Sequence, residues 1–124
     1  LRPDLLEQHG LCGVMQTQAD ALRARNQLTV DLDICPEEPK LPFEIKEAIY
    51  HVISEALHNI VKHAHATRVR LVLKCAGDGT DVQIADNGVG FDTSQHFPTS
   101  FGLRVMRERM EHLGGRLTIS TLRR

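Results

Sequence analysis

The chain has no tryptophan, and aromatic residues make up only 4% of its 124 positions. A platform that stacks the bases of single-stranded nucleic acid needs aromatic faces, so that class of function is disfavoured. Charge of either sign is not in excess. Fifteen lysines and arginines stand against 16 aspartates and glutamates, for a formal net charge of −1. The chain therefore has no electrostatic footprint for duplex nucleic acid or for an anionic membrane surface. No apolar run approaches the ~20 residues that a membrane-spanning helix requires. Cysteine is scarce: Cys12, Cys35 and Cys75 are odd in number, distant in sequence and without the short paired spacing of a zinc site. They are expected to be buried free thiols in a reducing, cytoplasmic setting.

What is present is ordinary for a globular protein: 41% hydrophobic and 25% charged residues, in a length that suits one domain. The opening "LRPDLLEQHG" and the closing "LTISTLRR" read as cut ends, so the chain is expected to be a piece of a longer protein. No internal repeat or low-complexity segment interrupts it.

Periodicity divides the chain into elements. Residues 10–27 predict a helix, with Leu11, Val14, Met15, Gln18 and Leu22 spaced by three and four. Residues 28–34 alternate Leu28, Val30, Leu32 and Ile34 on one face, which predicts a strand with one wet side. After the proline-rich "CPEEPKLP", residues 43–66 predict the longest helix, with an apolar stripe that includes Ile45, Ile49, Val52, Ile53, Ile60 and Val61. "RVRLVLKCA" and "TDVQIAD" alternate on either side of Gly77-Asp78-Gly79 and predict a β-hairpin. A polar loop follows, then a helix over "LRVMRERMEHLGG" ended by the paired glycines, then a strand, "RLTIS". Helices on one face of a mixed or antiparallel sheet make an α+β two-layer sandwich. The hairpin and the missing third glycine argue against a doubly wound dinucleotide-binding sheet.

Three local patterns carry chemistry. "DNGVGF", residues 86–91, ends the hairpin's second strand. Asn-Gly there is either a tight hairpin turn or a loop whose glycines admit a ligand to the backbone. On the long helix, Glu55, Asn59 and Lys62 follow at i, i+4 and i+7, with His63 one turn beyond Asn59. Such a stripe is either a solvated face or a ligand face. A carboxylate and an amide oxygen suit Mg²⁺, and a lysine and a histidine suit phosphate. Finally, Gly102 precedes a helix start, where unpaired N–H groups and the helix dipole favour an anion, or where glycine simply caps the helix.

Together and in this order, these patterns resemble the sensor histidine kinases. "HVISEALHNIVKHAHA" is similar to their N box and "DNGVGF" to their first glycine box. "FGLRVMRERMEHLGGRLTIS" is similar to the second glycine region of the nitrate-sensor and desaturase-regulator subfamily. "LRPDLLEQHGL" resembles the junction that joins dimerisation helices to the ATP-binding domain. The resemblance covers nearly the whole chain.

The resemblance implies a Bergerat-type ATPase sandwich, a mixed sheet covered on one face by helices, with residues 1–9 as junction and 10–124 as the ATP-binding domain. It implies that Asp86 accepts the adenine amine, which a carboxylate can do because it is acceptor-only when ionised. Gly88 and Gly90 let the backbone approach the nucleotide. Asn59 holds Mg²⁺, and Glu55 either orients metal-bound water or helps activate the phosphoacceptor. Lys62 and His63 meet phosphates, as do N–H groups around Gly102 and Leu103, which hinge a lid over 91–101. Ala56, Ile60, Val89 and Leu103 pack near the base. The cofactors implied are ATP and Mg²⁺. The partners implied are a dimerisation and phosphoacceptor domain outside this chain and a response regulator, within a homodimeric parent that is cytoplasmic or membrane-anchored. None of the seven histidines lies in a phosphoacceptor motif. The other reading is a non-catalytic, nucleotide-responsive interaction module on the same fold.

Overall fold

The computed structural model describes residues 3–76, 79–88, 108, 111 and 116–123. Its first element is a helix, α1 (Pro3–Asn26), that begins seven residues earlier than the periodicity predicts and bends at Gly10, where φ is 71° and ψ is 176°. That positive φ favours glycine. A Cβ at Gly10 would also stand 2.6 Å from the Glu38 carboxylate. The carboxylate is there for a physical reason: a helix restarting after a bend exposes unpaired N–H groups. Glu38 accepts the Leu11 N–H at 2.7 Å and the Cys12 N–H at 3.0 Å, capping the restarted helix from 26 to 27 residues away in sequence. Lys46 Nζ lies 2.8 Å from Glu38 Oε2 and completes the cluster.

Strand β1 (Thr29–Ile34) leads through the proline-rich loop to α2 (Phe43–Asn59), which buries Ile45, Ile49, Val52, Ile53, Ala56 and Leu57. The spacing of these residues by three and four puts them on one side of an α-helix. The expected continuation to residue 66 is not α-helical. From Ile60 to Ala64 the backbone is a π-helix, closed by His65 in the left-handed region at φ 53°. Bonding i→i+5 turns each residue through a smaller angle about the axis than an α-helix does. Val61, expected on the apolar stripe, consequently stands 41% exposed while Ile60 stays buried.

Strands β2 (Arg68–Ala76) and β3 (Gly79–Asp86) pair antiparallel with Ala76 opposite Gly79, the hairpin that the alternation predicts. Strand β4 (Arg116–Arg123) extends three residues past the predicted "RLTIS". The sheet order is β1-β2-β3-β4, with β1 parallel to β2 and β3 parallel to β4, so the sheet is mixed. Glu108 and Glu111 are helical, within the helix expected over 103–115.

The sheet has two unlike faces because its strands alternate. Val69, Leu71, Leu73, Val82 and Ile84 join α1 and α2 residues such as Leu11, Met15, Ile49 and Ile53 in one buried cluster. The opposite face carries Asp31, Asp33, Arg68, Arg70 and Lys74 in exposed pairs at 3.5–3.9 Å. Exposed pairs of this kind contribute little each, typically under about 1 kcal/mol, so the helix-covered face supplies most of the stabilisation.

Glu38 gives the stability a pH dependence. Desolvation pushes its carboxyl up, but the Lys46 ammonium and the Cys12 and Leu11 N–H groups outweigh it and hold the carboxyl below its ordinary value of 4.5. A depressed folded pKa contributes stability that is present above the unfolded value and is lost as pH falls through the folded value. In urea unfolding at a series of pH values, the stability gap between wild type and Glu38→Gln is expected to be full above pH 4.5 and to shrink below it. A gap independent of pH would contradict the capping role.

Candidate functional site

Asp86 occupies a position that alternation reserves for an apolar side chain. Thr80, Val82, Ile84 and Asp86 follow one another on the helix-covered face of β3, and all are at least 95% buried. Asp86 Oδ1 accepts the Gly88 N–H at 2.7 Å, which folds the backbone into an Asx turn at the strand end. That bond engages one of the two carboxylate oxygens. A buried carboxylate needs hydrogen-bond donors or a cation for its oxygens. A ligand amine fits that requirement.

The geometry excludes one of the two readings of "DNGVGF". The next strand, β4, runs parallel to β3. Parallel neighbours cannot be joined by a two-residue turn and need a long crossover. The tight-hairpin reading is therefore excluded, and Asn87 has other work. Its Oδ1 accepts the Thr67 and Arg68 N–H groups, each at 2.9 Å, and its Nδ2 donates to Thr67 Oγ1 at 2.8 Å. The Asn87 N–H adds a bond of 3.2 Å to the Arg68 carbonyl. These bonds pin the loop after β3 to the segment that leaves the π-helix. The end of β3 therefore sits beside Thr67 and Arg68, just after the π-helix. Sequence reasoning passed over Asn87. The signal was there, since an asparagine amide satisfies backbone groups where a chain leaves regular structure.

Along α2, Glu55 and Asn59 are half-buried at consecutive turns of the same face, and Lys62 is exposed in the π-helix. The donor set, one carboxylate and one amide oxygen, suits a hard cation that takes its remaining ligands from phosphates and water. His63 lies on the π-helix backbone. Ala56 and Ile60 are buried on the inner side of the same helix end. Val89, Gly90, Gly102, Leu103 and the expected lid over 91–101 lie outside the described residues. Among the described residues, no helix is long and apolar enough to cross a membrane.

The fold is an α+β sandwich with a buried carboxylate at the end of β3 and a helix that carries a carboxylate, an amide and a lysine. Comparison with known proteins gives the family. Residues 44–123 match the histidine kinase-, DNA gyrase B-, and HSP90-like ATPases, and the chain belongs to that family. Membership of this ATPase family implies that the chain binds ATP. The chain is 29% identical to the sensor histidine kinase LiaS of Bacillus subtilis (strain 168) over 115 residues, which are 93% of the chain and 31% of that protein. It is 33% identical to the nitrate/nitrite sensor protein NarQ of Escherichia coli (strain K12) over 116 residues, again 93% of the chain but 20% of NarQ. It is 31% identical to the signal transduction histidine-protein kinase/phosphatase DegS of Brevibacillus brevis over 121 residues, 98% of the chain and 31% of DegS. The chain thus spans a third or less of the length of these relatives.

Proposed function

We propose that this chain is the ATP-binding catalytic domain of a two-component sensor histidine kinase, delivering the γ-phosphoryl of ATP to a histidine on a dimerisation domain outside it. The observation that carries this reading is Asp86, a buried carboxylate with one oxygen held by Gly88 N–H. That arrangement suits the exocyclic amine of adenine and disfavours the carbonyl that guanine has there. The similarity to three proteins named as sensors or histidine kinases supports the rest.

In this reading Asp86 fixes the base, Asn87 fixes the loop that carries Asp86, and Gly88 and Gly90 let the backbone lie along the nucleotide. Asn59 and Glu55 hold Mg²⁺, which when bound neutralises phosphate charge. Lys62 and His63 meet phosphate oxygens, joined by N–H groups at Gly102 and Leu103. Phosphoryl transfer needs little covalent chemistry from the protein, so these residues act by positioning and by charge. Residues 1–9 are the junction to the dimerisation helices and 10–124 the catalytic domain. The bend at Gly10 supports that boundary. The parent is a homodimer that passes its phosphoryl group to a response regulator.

The test is phosphotransfer. The chain is incubated with radiolabelled Mg·ATP and the dimerisation segment encoded immediately upstream. An acid-labile, base-stable phosphohistidine is expected, and Asn59→Ala should reduce it by about 100-fold or more, the scale for a lost transition-state electrostatic contact. ATP binding without transfer to any histidine would overturn the kinase reading in favour of a nucleotide-responsive interaction module.

A further inference from the structure

The three cysteines, distant in sequence, converge in space. Cys35 Sγ and Cys75 Sγ are 3.1 Å apart, although 40 residues separate them in the chain. The parallel pairing of β1 and β2 is the cause. Ile34 is opposite Leu73, so the residue that follows β1 arrives beside the last turns of β2. Cys12 Sγ approaches the same place from α1, 3.8 Å from the Cys35 carbonyl. The expectation of buried thiols is corrected here: Cys75 is exposed, and Cys12 and Cys35 are half-buried. Among the described residues, no group of three or more His, Cys, Asp or Glu side chains is arranged to hold a metal ion.

We propose that Cys35 and Cys75 form a redox modification site, in which a hydroperoxide converts the thiol pair to an intramolecular disulfide. Exposed Cys75 meets the oxidant. Its thiolate attacks the peroxide, the O–O bond breaks, hydroxide leaves and Cys75 becomes a sulfenic acid. The Cys35 sulfur then attacks the Cys75 sulfur, the S–O bond breaks and water leaves as the S–S bond forms. The two thiols lose two electrons and two protons in total, and one hydrogen peroxide becomes two waters. The sulfurs need to close only from 3.1 Å to the ~2.05 Å of a disulfide.

The site lies far from the nucleotide end of the sheet. Cys75 pairs with Thr80, whereas Asp86 pairs with Val69, six strand residues and ~20 Å away. It lies close to the bend. Cys35 begins the loop that carries Glu38, and Glu38 caps α1 after Gly10. A disulfide there would tie the β1–α2 loop to β2 and stiffen the support of that cap. The reaction is slow at neutral pH. Although Cys75 is exposed as a residue, partial desolvation of its sulfur, reinforced by the neighbouring Cys35 thiol, pushes the thiol up to about 11 against a Thr80 hydrogen bond that lowers it, and the Glu38 charge also raises it. Burial and the Glu38 carboxylate push the Cys12 thiol up to about 12. Thiolate is the reactive species, so oxidation is expected over hours.

The three cysteines fall in separate tryptic peptides, ending at Arg23, Lys40 and Arg104. The folded chain is treated with hydrogen peroxide, blocked with N-ethylmaleimide and mapped without reduction. The expected result is a linked pair of peptides containing Cys35 and Cys75, with Cys12 alkylated. Cys12→Ser should oxidise as wild type does, while Cys35→Ser and Cys75→Ser should yield no intramolecular link. Closing so long a loop should raise Tm by on the order of 10 °C, reversibly with dithiothreitol. A linkage through Cys12, a dimer linked between chains, or overoxidised Cys75 with no linkage would each overturn the proposal.

Discussion

Asp86→Asn is expected to weaken ATP binding by about 100- to 1,000-fold while leaving the chain folded. The side chain has two separate tasks. Its Oδ1 accepts the Gly88 N–H at 2.7 Å, and an asparagine oxygen can still do that. Its Oδ2 is the oxygen proposed to take the adenine amine. In the variant that position holds an NH₂ group, so a donor faces a donor. Rotating the amide only moves the conflict to Gly88. A hydrogen bond to a charged group contributes about 1.5–3 kcal/mol, and a buried donor left unpaired costs about 1–3 kcal/mol. At about 1.4 kcal/mol per decade, the sum spans about two to four orders of magnitude, and the expected loss lies in the lower half of that span. Calorimetric titration reads the affinity, and urea unfolding checks the fold. An affinity within about threefold of wild type, less than 1 kcal/mol, would remove Asp86 from the site.

Ile53→Ala is expected to lower stability by about 3–4 kcal/mol and Tm by on the order of 15 °C, whereas Val61→Ala should change stability by under about 0.5 kcal/mol. Both residues fit the same apolar period in the sequence. In the structure, Ile53 is 0% exposed and Val61 is 41% exposed. Truncating Ile53 removes transferred apolar surface and leaves a cavity among α2, α1 and the sheet, whereas truncating Val61 removes atoms that already face water. Thermal unfolding followed by circular dichroism separates the two outcomes. Equal destabilisation would contradict the π-helix and place Val61 on the buried side of a continued α-helix. Because Lys62 and His63 lie in that stretch, the comparison also bears on how phosphate ligands are presented.

Those two residues show where the sequence was legible and where it was not. Ile45, Ile49, Val52 and Ile53 announce a helix face because period and burial share one cause. The hairpin of β2 and β3 is legible for the same reason, with two alternating runs on either side of a glycine-flanked turn. The π-helix is hidden because Ile60 and Val61 satisfy an α-helical stripe as well as the residues before them do. Asp86 could be placed at a ligand edge only through the resemblance. Asn-Gly is good hairpin chemistry, and the parallel pairing of β3 with β4, which excludes the hairpin, depends on residues 30 positions later. The Glu38 cap on Leu11 and Cys12 and the approach of Cys35 to Cys75 are set by tertiary packing, so no local period encodes either. Asn87 stands between these cases: its residue type was informative, but its partners, Thr67 and Arg68, belong to another part of the chain.

The central claim is that Asp86 reads the amine of adenine, and titrating the folded chain in parallel with Mg·ATP and Mg·GTP tests it most directly. The two ligands share their phosphates and ribose and differ at the group that would meet Asp86 Oδ2, an amine donor in one and a carbonyl acceptor in the other. The account predicts saturable binding of ATP at least about 100-fold tighter than that of GTP. Equal affinity for the two, or no binding of ATP by a chain shown to be folded, would contradict it.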